Sequence, residues 1–501
     1  MTIQELLRKH KIDPKDQKFL RSVFDFAEEA HKGQKRASGE PYVQHCLHTA
    51  DSLATWGMLD RSTLGAALLH DVPENSDYTL DDIRKKFGDD ITFLVLGITK
   101  LGRIKLRTQK DPTYIETLRR MVLAMAEDIR VILIKLADRL HNMNTLSALP
   151  RGKQERIALE TLEVYAPLAA RLGMGEVRGS LEDLAFPVVY PKEYNKLVAQ
   201  VRPRIENAQH YIPRAIKEIT KVLRLNEVYY SKITGRIKHM YSLYQKLQRP
   251  EYDHDLDKVF DIKALRIITD TVENCYSILG VIHKYFRPIP GRIKDYIAVP
   301  KPNGYQSLHT NIFGPEGKYI EIQIRTKKMD EQAEFGIASH WAYTETGKRK
   351  TGEHHRKLKK LEWAHQLSEW QKDNQDNPDE FFENLKIDFF KDRICVFTPK
   401  GDVKELPDGA STIDFAFAVH TDLGYHCCGA KINGKMSKLF TPLKNGDIVE
   451  IIEDKNPKVS RDWIDHTAST SARGKIKSYL NKNKEGFISR ITPGFIKGKQ
   501  K

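Results

Sequence analysis

Tyr319-Ile320-Glu321-Ile322-Gln323-Ile324-Arg325 alternates apolar and polar residues with a period of two, the pattern of a strand with one face on a core. Ile320, Ile322 and Ile324 are expected to face that core, and Glu321, Gln323 and Arg325 the other side. A carboxylate able to take a proton is thus set on a rigid element beside a cation. The solvated face of an ordinary sheet has the same alternation, so the neighbours decide the reading. Upstream, Pro300-Lys301-Pro302-Asn303-Gly304-Tyr305-Gln306-Ser307-Leu308-His309-Thr310 places two prolines and a glycine around Asn303, the composition of a tight loop that presents side chains to a ligand. Tyr305 offers a ring for stacking a base, Asn303 and Gln306 offer amides for base edges, and Arg292, Lys294 and Lys301 offer charge for phosphates. In Phe260-Asp261-Ile262-Lys263-Ala264-Leu265-Arg266-Ile267-Ile268, Asp261 stands at the mouth of a β-branched run, a suitable hard oxygen ligand for magnesium. Gly235-Arg236-Ile237-Lys238-His239 adds two cations, Arg236 and Lys238, ahead of a helical pattern. Asp261 to Arg325 reads as a nucleotide site.

The 501 residues leave room for roughly three or four domains. Lys and Arg outnumber Asp and Glu by 82 to 67, a balance of +15 that suits polyanionic partners such as nucleotides, RNA or an anionic surface. Cys46, Cys275, Cys395, Cys427 and Cys428 lack metal-ligand spacing and imply no disulfide framework, which points to a reducing cytosol. The first twenty residues have no apolar core of a signal peptide, and no stretch approaches membrane-spanning length, so a cytoplasmic protein without a membrane partner is expected.

From about 15 to 200 the chain reads as helical, with apolar spacing in Lys18–Ala30, Thr63–His70, Tyr114–Ala126 and Ile157–Ala170. The polar exceptions are His45 near a helix start, His70-Asp71 after Ala66-Ala67-Leu68-Leu69, and Asp138 after Lys135-Leu136-Ala137. Two histidines and two aspartates from three helices suit manganese or a similar divalent metal, and Asn142 lies one turn beyond Asp138. A His-Asp pair alone is commonly structural.

The ordered set GRIKH, FDIKALRI, RIKDYIA, PKPNGYQSLHT and EIQIRT closely resembles the synthetase domain of the RelA/SpoT homologues, stringent-response enzymes that move pyrophosphate from ATP to the ribose 3′-hydroxyl of GTP or GDP. The spacing of His45, His70-Asp71 and Asp138, with Arg36, Ser38-Gly39-Glu40-Pro41-Tyr42 and the motif Leu136 to Met143, resembles the HD phosphohydrolase domain that precedes it in long members. The resemblance implies that Glu321 is the base for the 3′-hydroxyl, Asp261 a magnesium ligand, and Tyr305 the guanine platform with Asn303 and His309 nearby. It also implies that Arg236 and Arg266 contact the adenine nucleotide, and that the basic form Arg292-Ile293-Lys294-Asp295 goes with two-activity enzymes. In the HD domain, a metal-bound water would remove the 3′-pyrophosphate, with Arg36, Ser38 and Asn142 on the substrate.

One departure concerns that hydrolase. The competent family pattern after His-Asp has a Glu-Asp pair and Thr, whereas this chain reads Val72-Pro73-Glu74-Asn75-Ser76. Asn75 lacks a proton-accepting carboxylate, and Pro73 restricts the backbone beside Glu74. Weak or absent hydrolysis, or Glu74 sufficing alone, are the two outcomes this leaves open.

Residues 201–230 read as a charged helical connector, and the opposed activities of the family imply conformational exclusion between the sites. The charged stretch 346–390, with Lys348-Arg349-Lys350 and His354-His355-Arg356-Lys357, reads as surface helix and linker. Asp392–Asp402 and Asp447–Ile452 read as strands and a turn, Thr412–His420 as a helix and Gly424–Asn433 as a strand. This set resembles the family's ubiquitin-like TGS domain, which meets uncharged tRNA through a histidine after glycine. Here Tyr425 follows Gly424, and an aromatic ring can still stack on a base, so a ribosome or tRNA partner remains open. Residues 454–501 look like the start of a helical segment, and nothing resembles the family's C-terminal zinc-finger-like or ACT modules.

The expected architecture is a multidomain α+β chain: an all-helical HD domain at 1–200, a mixed α/β nucleotidyltransferase-like synthetase domain at 201–345, a linker at 346–390, a small β-grasp TGS domain at 391–453 and a tail. The expected activity is magnesium-dependent (p)ppGpp synthesis. The alternatives are a protein that mainly hydrolyses (p)ppGpp, and an RNA- or ribosome-binding regulator with idle catalytic domains.

Overall fold

The computed structural model describes residues 1–102, 127–301, 303–339 and 393–491; the helix expected at Tyr114–Ala126 and the charged stretch 346–390 lie outside them. Contacts divide the chain into two compact units, residues 1–375 and 376–501.

The first unit opens with helices α1 (Ile3–Lys9), α2 (Pro14–Ala30), α3 (Tyr42–Thr55), α4 (Arg61–Leu69), the single turn α5 (Val72–Asn75), α6 (Leu80–Phe87), α7 (Asp89–Gly102), α8 (Ile129–Asn144) and α9 (Arg151–Glu160). Asp13, Asp60, Thr79 and Asp128 each accept a backbone N–H of the first turn, which fixes where α2, α4, α6 and α8 begin. Leu47, Ala50 and Leu53 of α3, Leu69 of α4 and Leu133, Leu136 and Ala137 of α8 are wholly buried. In the same core His45, His70 and Asp138 are each 4% exposed or less, and burying such groups is costly unless they are partnered.

The run Ile157–Ala170, expected as one helix, breaks into α9, a π-turn at Thr161–Tyr165 and α10 (Ala166–Arg171). Pro167 supplies the reason: it has no N–H and its ring clashes with the carbonyl four residues earlier, so the hydrogen-bond ladder slips. Next come α11 (Gly175–Val189) and the long α12 (Pro191–Leu225), which runs straight through position 200, where the sequence suggested a domain boundary.

A five-stranded sheet follows, built from β1 (Lys232–Ile237), β2 (Lys263–Thr269), β3 (Lys294–Asp295), β4 (Leu308–Phe313) and β5 (Tyr319–Thr326). Its order is β1-β2-β5-β4-β3, with β2 and β5 parallel and the other pairs antiparallel. Helices α13 (Met240–Leu247) and α14 (Val272–Tyr285) lie between strands in the chain, and α15 (Lys327–Phe335) follows β5. Tyr211, Ala215 and Ile219 of α12 and Cys275, Ile278 and Ile282 of α14 close one face over Leu265, Ile267, Ile320, Ile322 and Ile324. The three isoleucines of β5 have no exposed surface, each burial worth about 1.5–3 kcal/mol, so the alternation falls as expected. Across the strands Glu321 is opposite Ala264, Gln323 opposite Arg266 and His309, His309 opposite Lys294, and Ala264 opposite Arg236. The register alone therefore gathers Arg236, Arg266, Lys294, His309 and Glu321 on the other face.

The second unit holds the hairpin β6 (Arg393–Phe397) and β7 (Val403–Pro407), helices α16 (Thr412–Val419) and α17 (Thr421–His426), strands β8 (Cys427–Ile432), β9 (Lys435–Ser437) and β10 (Val449–Glu453), and α18 (Thr470–Ile491). The sheet β10-β8-β9 meets the hairpin through a parallel bridge between Phe397 and Ile448. Buried Asp414 accepts the N–H groups of Ser411, Ala468 and Ser469, capping α16 and tying the start of α18 to it. The strand expected from Gly424 begins only at Cys427, because Thr421–His426 is helical, with His420 Nδ1 accepting the Asp422 N–H at 3.3 Å. The Tyr425 ring packs against Phe417 and Tyr479, with centroids 5.5 and 4.8 Å away, rather than being presented as a free platform. Among the described residues no helix is long and apolar enough to cross a membrane.

Candidate active sites

In the helical block, α3 supplies His45, the end of α4 supplies His70 and Asp71, and α8 supplies Asp138. His45 Nε2 lies 3.2 Å from Asp138 Oδ1 and 3.6 Å from Asp71 Oδ2, and His70 Nε2 lies 3.5 Å from Asp71 Oδ1. His70 Nδ1 donates to the Ala67 carbonyl at 2.8 Å, which in the neutral ring leaves the lone pair on Nε2, and that buried atom has no hydrogen-bond partner. An orphaned imidazole nitrogen aimed at carboxylates fits a divalent metal; His45, His70 and Asp138 offer ligand atoms within 4.8 Å of one another. Burial holds His45 below its ordinary pKa, which favours the neutral, ligating form. At Asp138 burial works against ionisation, but the ammonium of Lys135, 2.7 Å away, together with His45 and His70, outweighs it and holds the carboxyl well below its usual range.

Beside this cluster lies a cavity of about 370 Å³, lined among others by Arg36, Ser38, Lys135, Asp138, Asn142 and Tyr165. Arg36 donates to Asn142 Oδ1 and, at 3.1 Å, to His141 Nδ1. Burial and the neighbouring His45 push His141 down to about 3, which suits its part as an acceptor. Glu74 and Asn75 are exposed on α5. Asn75 Nδ2 donates to the Tyr42 hydroxyl at 3.2 Å, and that hydroxyl donates to Asp71 Oδ2 at 2.9 Å. Pro73 sits in the first turn of α5, where its missing N–H has no intrahelical partner to lose.

On the open face of the sheet, Asp261 Oδ2 accepts from Lys238 Nζ at 2.8 Å and Lys246 Nζ at 2.7 Å. Burial raises its pKa, but the two ammoniums outweigh burial and bring it to about 2. Its Oδ1 is buried without a partner, an arrangement that fits a hard cation such as magnesium. Glu321 is likewise pushed up by burial, yet lies below its ordinary pKa because His309 Nδ1 donates to Oε1 at 2.9 Å and Gln323 Nε2 to Oε2 at 2.9 Å. An ionised carboxylate only accepts, so Nδ1 carries the proton, and in the neutral ring Nε2 accepts from the Tyr305 hydroxyl 2.7 Å away. Tyr305, His309 and Glu321 form a continuous hydrogen-bond chain.

The other sequence-predicted residues are placed as follows. Tyr305 is edge-on to Tyr296, with Lys301 Nζ 4.9 and 5.3 Å from the two ring centroids. Asn303 Oδ1 accepts the Tyr305 N–H at 3.2 Å and Gln306 Nε2 donates to the Ile297 carbonyl at 3.2 Å, so both amides brace the loop that was expected to offer them to a base. Arg266 is paired with Glu334 at 2.7 Å and Asp330 at 3.4 Å, and the same two carboxylates hold the fully buried Arg325. Arg236 is half-buried and makes no ion pair among the described residues; Arg292 and Lys294 are exposed, with Arg292 5.3 Å from the Phe260 ring.

Several contributors had no site role in the sequence reading. Lys246, Gln323, Lys135, Tyr42 and His141 all touch a site side chain. His141 had a signal, since it lies three residues past Asp138 on one helix face, and Gln323 had one in the β5 alternation. Lys246 had none, because only the fold of α13 brings it to Asp261.

The HD domain family matches residues 23–175, the region found in RelA / SpoT proteins matches 235–348, and the TGS domain matches 394–453. The chain is 44% identical to a GTP pyrophosphokinase of Streptomyces coelicolor over 95% of its own length and 57% of that protein. It is 44% identical to a guanosine-3′,5′-bis(diphosphate) 3′-pyrophosphohydrolase of Aquifex aeolicus over 95% of this chain and 66% of that one. Against the bifunctional (p)ppGpp synthase/hydrolase SpoT of Escherichia coli the identity is again 44%, over 93% of this chain and 65% of that one. The chain thus spans 57 to 66% of the length of these curated relatives. Three domain families in this order, joined to such identity across nearly the whole chain, make the protein a member of the RelA/SpoT homologues.

Proposed function

We propose that the sheet site transfers pyrophosphate from ATP to the ribose 3′-hydroxyl of GDP or GTP, giving ppGpp or pppGpp and AMP. The observation that carries this reading is the pairing of a buried, hydrogen-bonded Glu321 with an Asp261 that keeps one oxygen unpartnered. A ribose hydroxyl needs a base within reach, and Glu321 takes its proton while His309 and Tyr305 hold the carboxylate in place. The 3′-oxygen then bonds to the β-phosphorus of ATP as the bond to the bridging oxygen breaks and AMP leaves with it. Asp261, beside Lys238 and Lys246, would hold magnesium, which when bound offsets phosphate charge. Arg236, Arg292, Lys294 and Lys301 set positive charge around the phosphates, Tyr305 and Lys301 form the wall met by the guanine, and Asn303 and Gln306 keep that loop in shape. Arg266 reaches the adenine nucleotide only in so far as Asp330 and Glu334 release it.

A second reaction, removal of the 3′-pyrophosphate of the product, is favoured by the buried His45–His70–Asp138 group and the cavity holding Arg36, Ser38 and Asn142. His45, His70, Asp71 and Asp138 would hold the metal, manganese in this reading, which when bound supplies Lewis acidity to the leaving phosphate. Asn75 cannot take a proton, so Glu74 is left as the base. We assign residues 1–200 to this hydrolase-type domain, 201–345 to synthesis and 391–453 to TGS, and assign no RNA partner to the latter, whose Tyr425 ring is engaged by Phe417 and Tyr479.

Incubation of the purified protein with ATP, GDP and magnesium, with all nucleotides resolved, is expected to yield ppGpp and AMP in equal amounts. Loss of added ppGpp with manganese and no synthesis would support the hydrolase reading alone. Salt-sensitive RNA binding without nucleotide turnover would support a regulatory protein instead.

A further inference from the structure

A second cavity, of about 490 Å³, opens where β2 and β5 begin, against α12. That volume lies within the range of small-molecule sites. Phe260 and Tyr319 stand in its wall with ring centroids 5.1 Å apart, and Tyr319 is 41% exposed. Arg204 and Asn207 reach it from α12, and Lys263 and Lys318 from the strand ends.

Charge around this cavity is unbalanced. Arg204 is paired with Asp257 at 2.6 Å, while Lys318 and Arg214 share Glu316 at 2.8 Å each. Lys263 makes no ion pair among the described residues; its ammonium lies 4.2 Å from the Tyr211 ring centroid, and Lys318 lies 5.4 Å from the same ring. Arg204, Arg214, Lys263 and Lys318 against Asp257 and Glu316 leave a surplus of two positive charges. Burial, and then the charge of Lys318, hold the Lys263 ammonium below its ordinary pKa, as expected of a cation placed beside another cation. An anion bridging the two lysines would relieve both effects.

We propose that this cavity is a second nucleotide site, with phosphates on Lys263, Lys318 and Arg204 and the base against the Tyr319 ring, within reach of the Asn207 amide. Lys263 alternates with Ala264, the residue opposite Glu321, so it belongs to the strand face turned to α12 and not to the face that carries the catalytic base. The inference stands on this cavity alone and does not rest on the synthetase reading.

Equilibrium dialysis of radiolabelled GDP against the full chain tests it. The double variant Lys263→Met, Lys318→Met is expected to bind one equivalent fewer per chain than wild type at saturation. Because Lys263 packs on Tyr211, a second variant, Asn207→Trp, fills the mouth from an exposed position on α12 and is expected to show the same loss with an unchanged melting temperature. The same loss is expected in a chain already carrying Glu321→Gln, whatever becomes of synthesis. Unaltered stoichiometry and affinity in both the double variant and Asn207→Trp would overturn the proposal. Competition for that equivalent by inorganic triphosphate as effective as by unlabelled GDP would overturn the assignment to a nucleotide.

Discussion

Asn75 is the side chain on which the proposed hydrolysis turns. Its amide supports the Tyr42 hydroxyl, which in turn holds Asp71, so it braces the proposed metal site but takes no proton. Replacing Asn75 by Asp exchanges a donor for an acceptor at the same reach, and manganese-dependent loss of ppGpp is expected to rise by roughly a hundredfold or more, the low end of what a positioned base supplies. An unchanged rate would mean that Glu74 does the work alone. At this scale the sequence was informative where a residue's type and its local pattern coincide: His45, His70 and Asp138 stand out as polar in apolar helices, and Glu321 as charged in a strand. It was silent where a partner arrives from elsewhere in the fold. Nothing near Arg266 shows that Asp330 and Glu334 will neutralise it, and nothing near Asp261 shows that Lys246 will reach it.

Among elements, the junction of α11 and α13 links the helical block to the sheet site. His239, at the start of α13, lies 2.7 Å from Asp183 of α11, whose other oxygen accepts the Tyr241 N–H at 3.0 Å. Gly179 makes the approach possible, since a Cβ there would lie 2.3 Å from His239 Nε2. The hydrogen bond to Asp183 raises the His239 pKa against the effect of burial, with Glu176 adding to the rise and Arg236 opposing it. A raised folded-state pKa gives stability that is fully present below the unfolded value, near 6.5, and is lost as pH rises through the folded value. As pH rises above about 6.5 the wild type is therefore expected to lose more stability than His239→Asn, read as a steeper fall in melting temperature. Parallel pH profiles would contradict the clasp. Because α13 carries Lys246, loosening it also disturbs the cations that hold Asp261. The break of Ile157–Ala170 into a π-turn belongs at this scale too: apolar spacing ran through Pro167, whereas the backbone ladder could not.

For the whole molecule, the surplus of 82 basic over 67 acidic residues agrees with the proposed polyanionic substrates, and basic side chains gather locally at the sheet site and around the cavity beside α12. The order of helical block, mixed sheet and small second unit was legible because the period of apolar residues switches from helical to alternating along the chain. The exact joint was not, since α12 continues through 200 and serves both the connector and the core of the sheet. Metal binding should register in the folding of the chain: manganese at about a hundredfold excess over its Kd stabilises the bound form by about 2.7 kcal/mol. Thermal unfolding is expected to shift upward on adding manganese and to return on chelation; a melting curve indifferent to both would argue against a metal at His45, His70 and Asp138.

The most direct measurement is the rate of AMP and ppGpp formation by Glu321→Gln, which keeps the size of the side chain but cannot take the proton of the 3′-hydroxyl. With melting temperature and GDP binding close to wild type, turnover is expected to fall by roughly 100-fold or more. Wild-type turnover in this variant would contradict the assignment of Glu321 as the base.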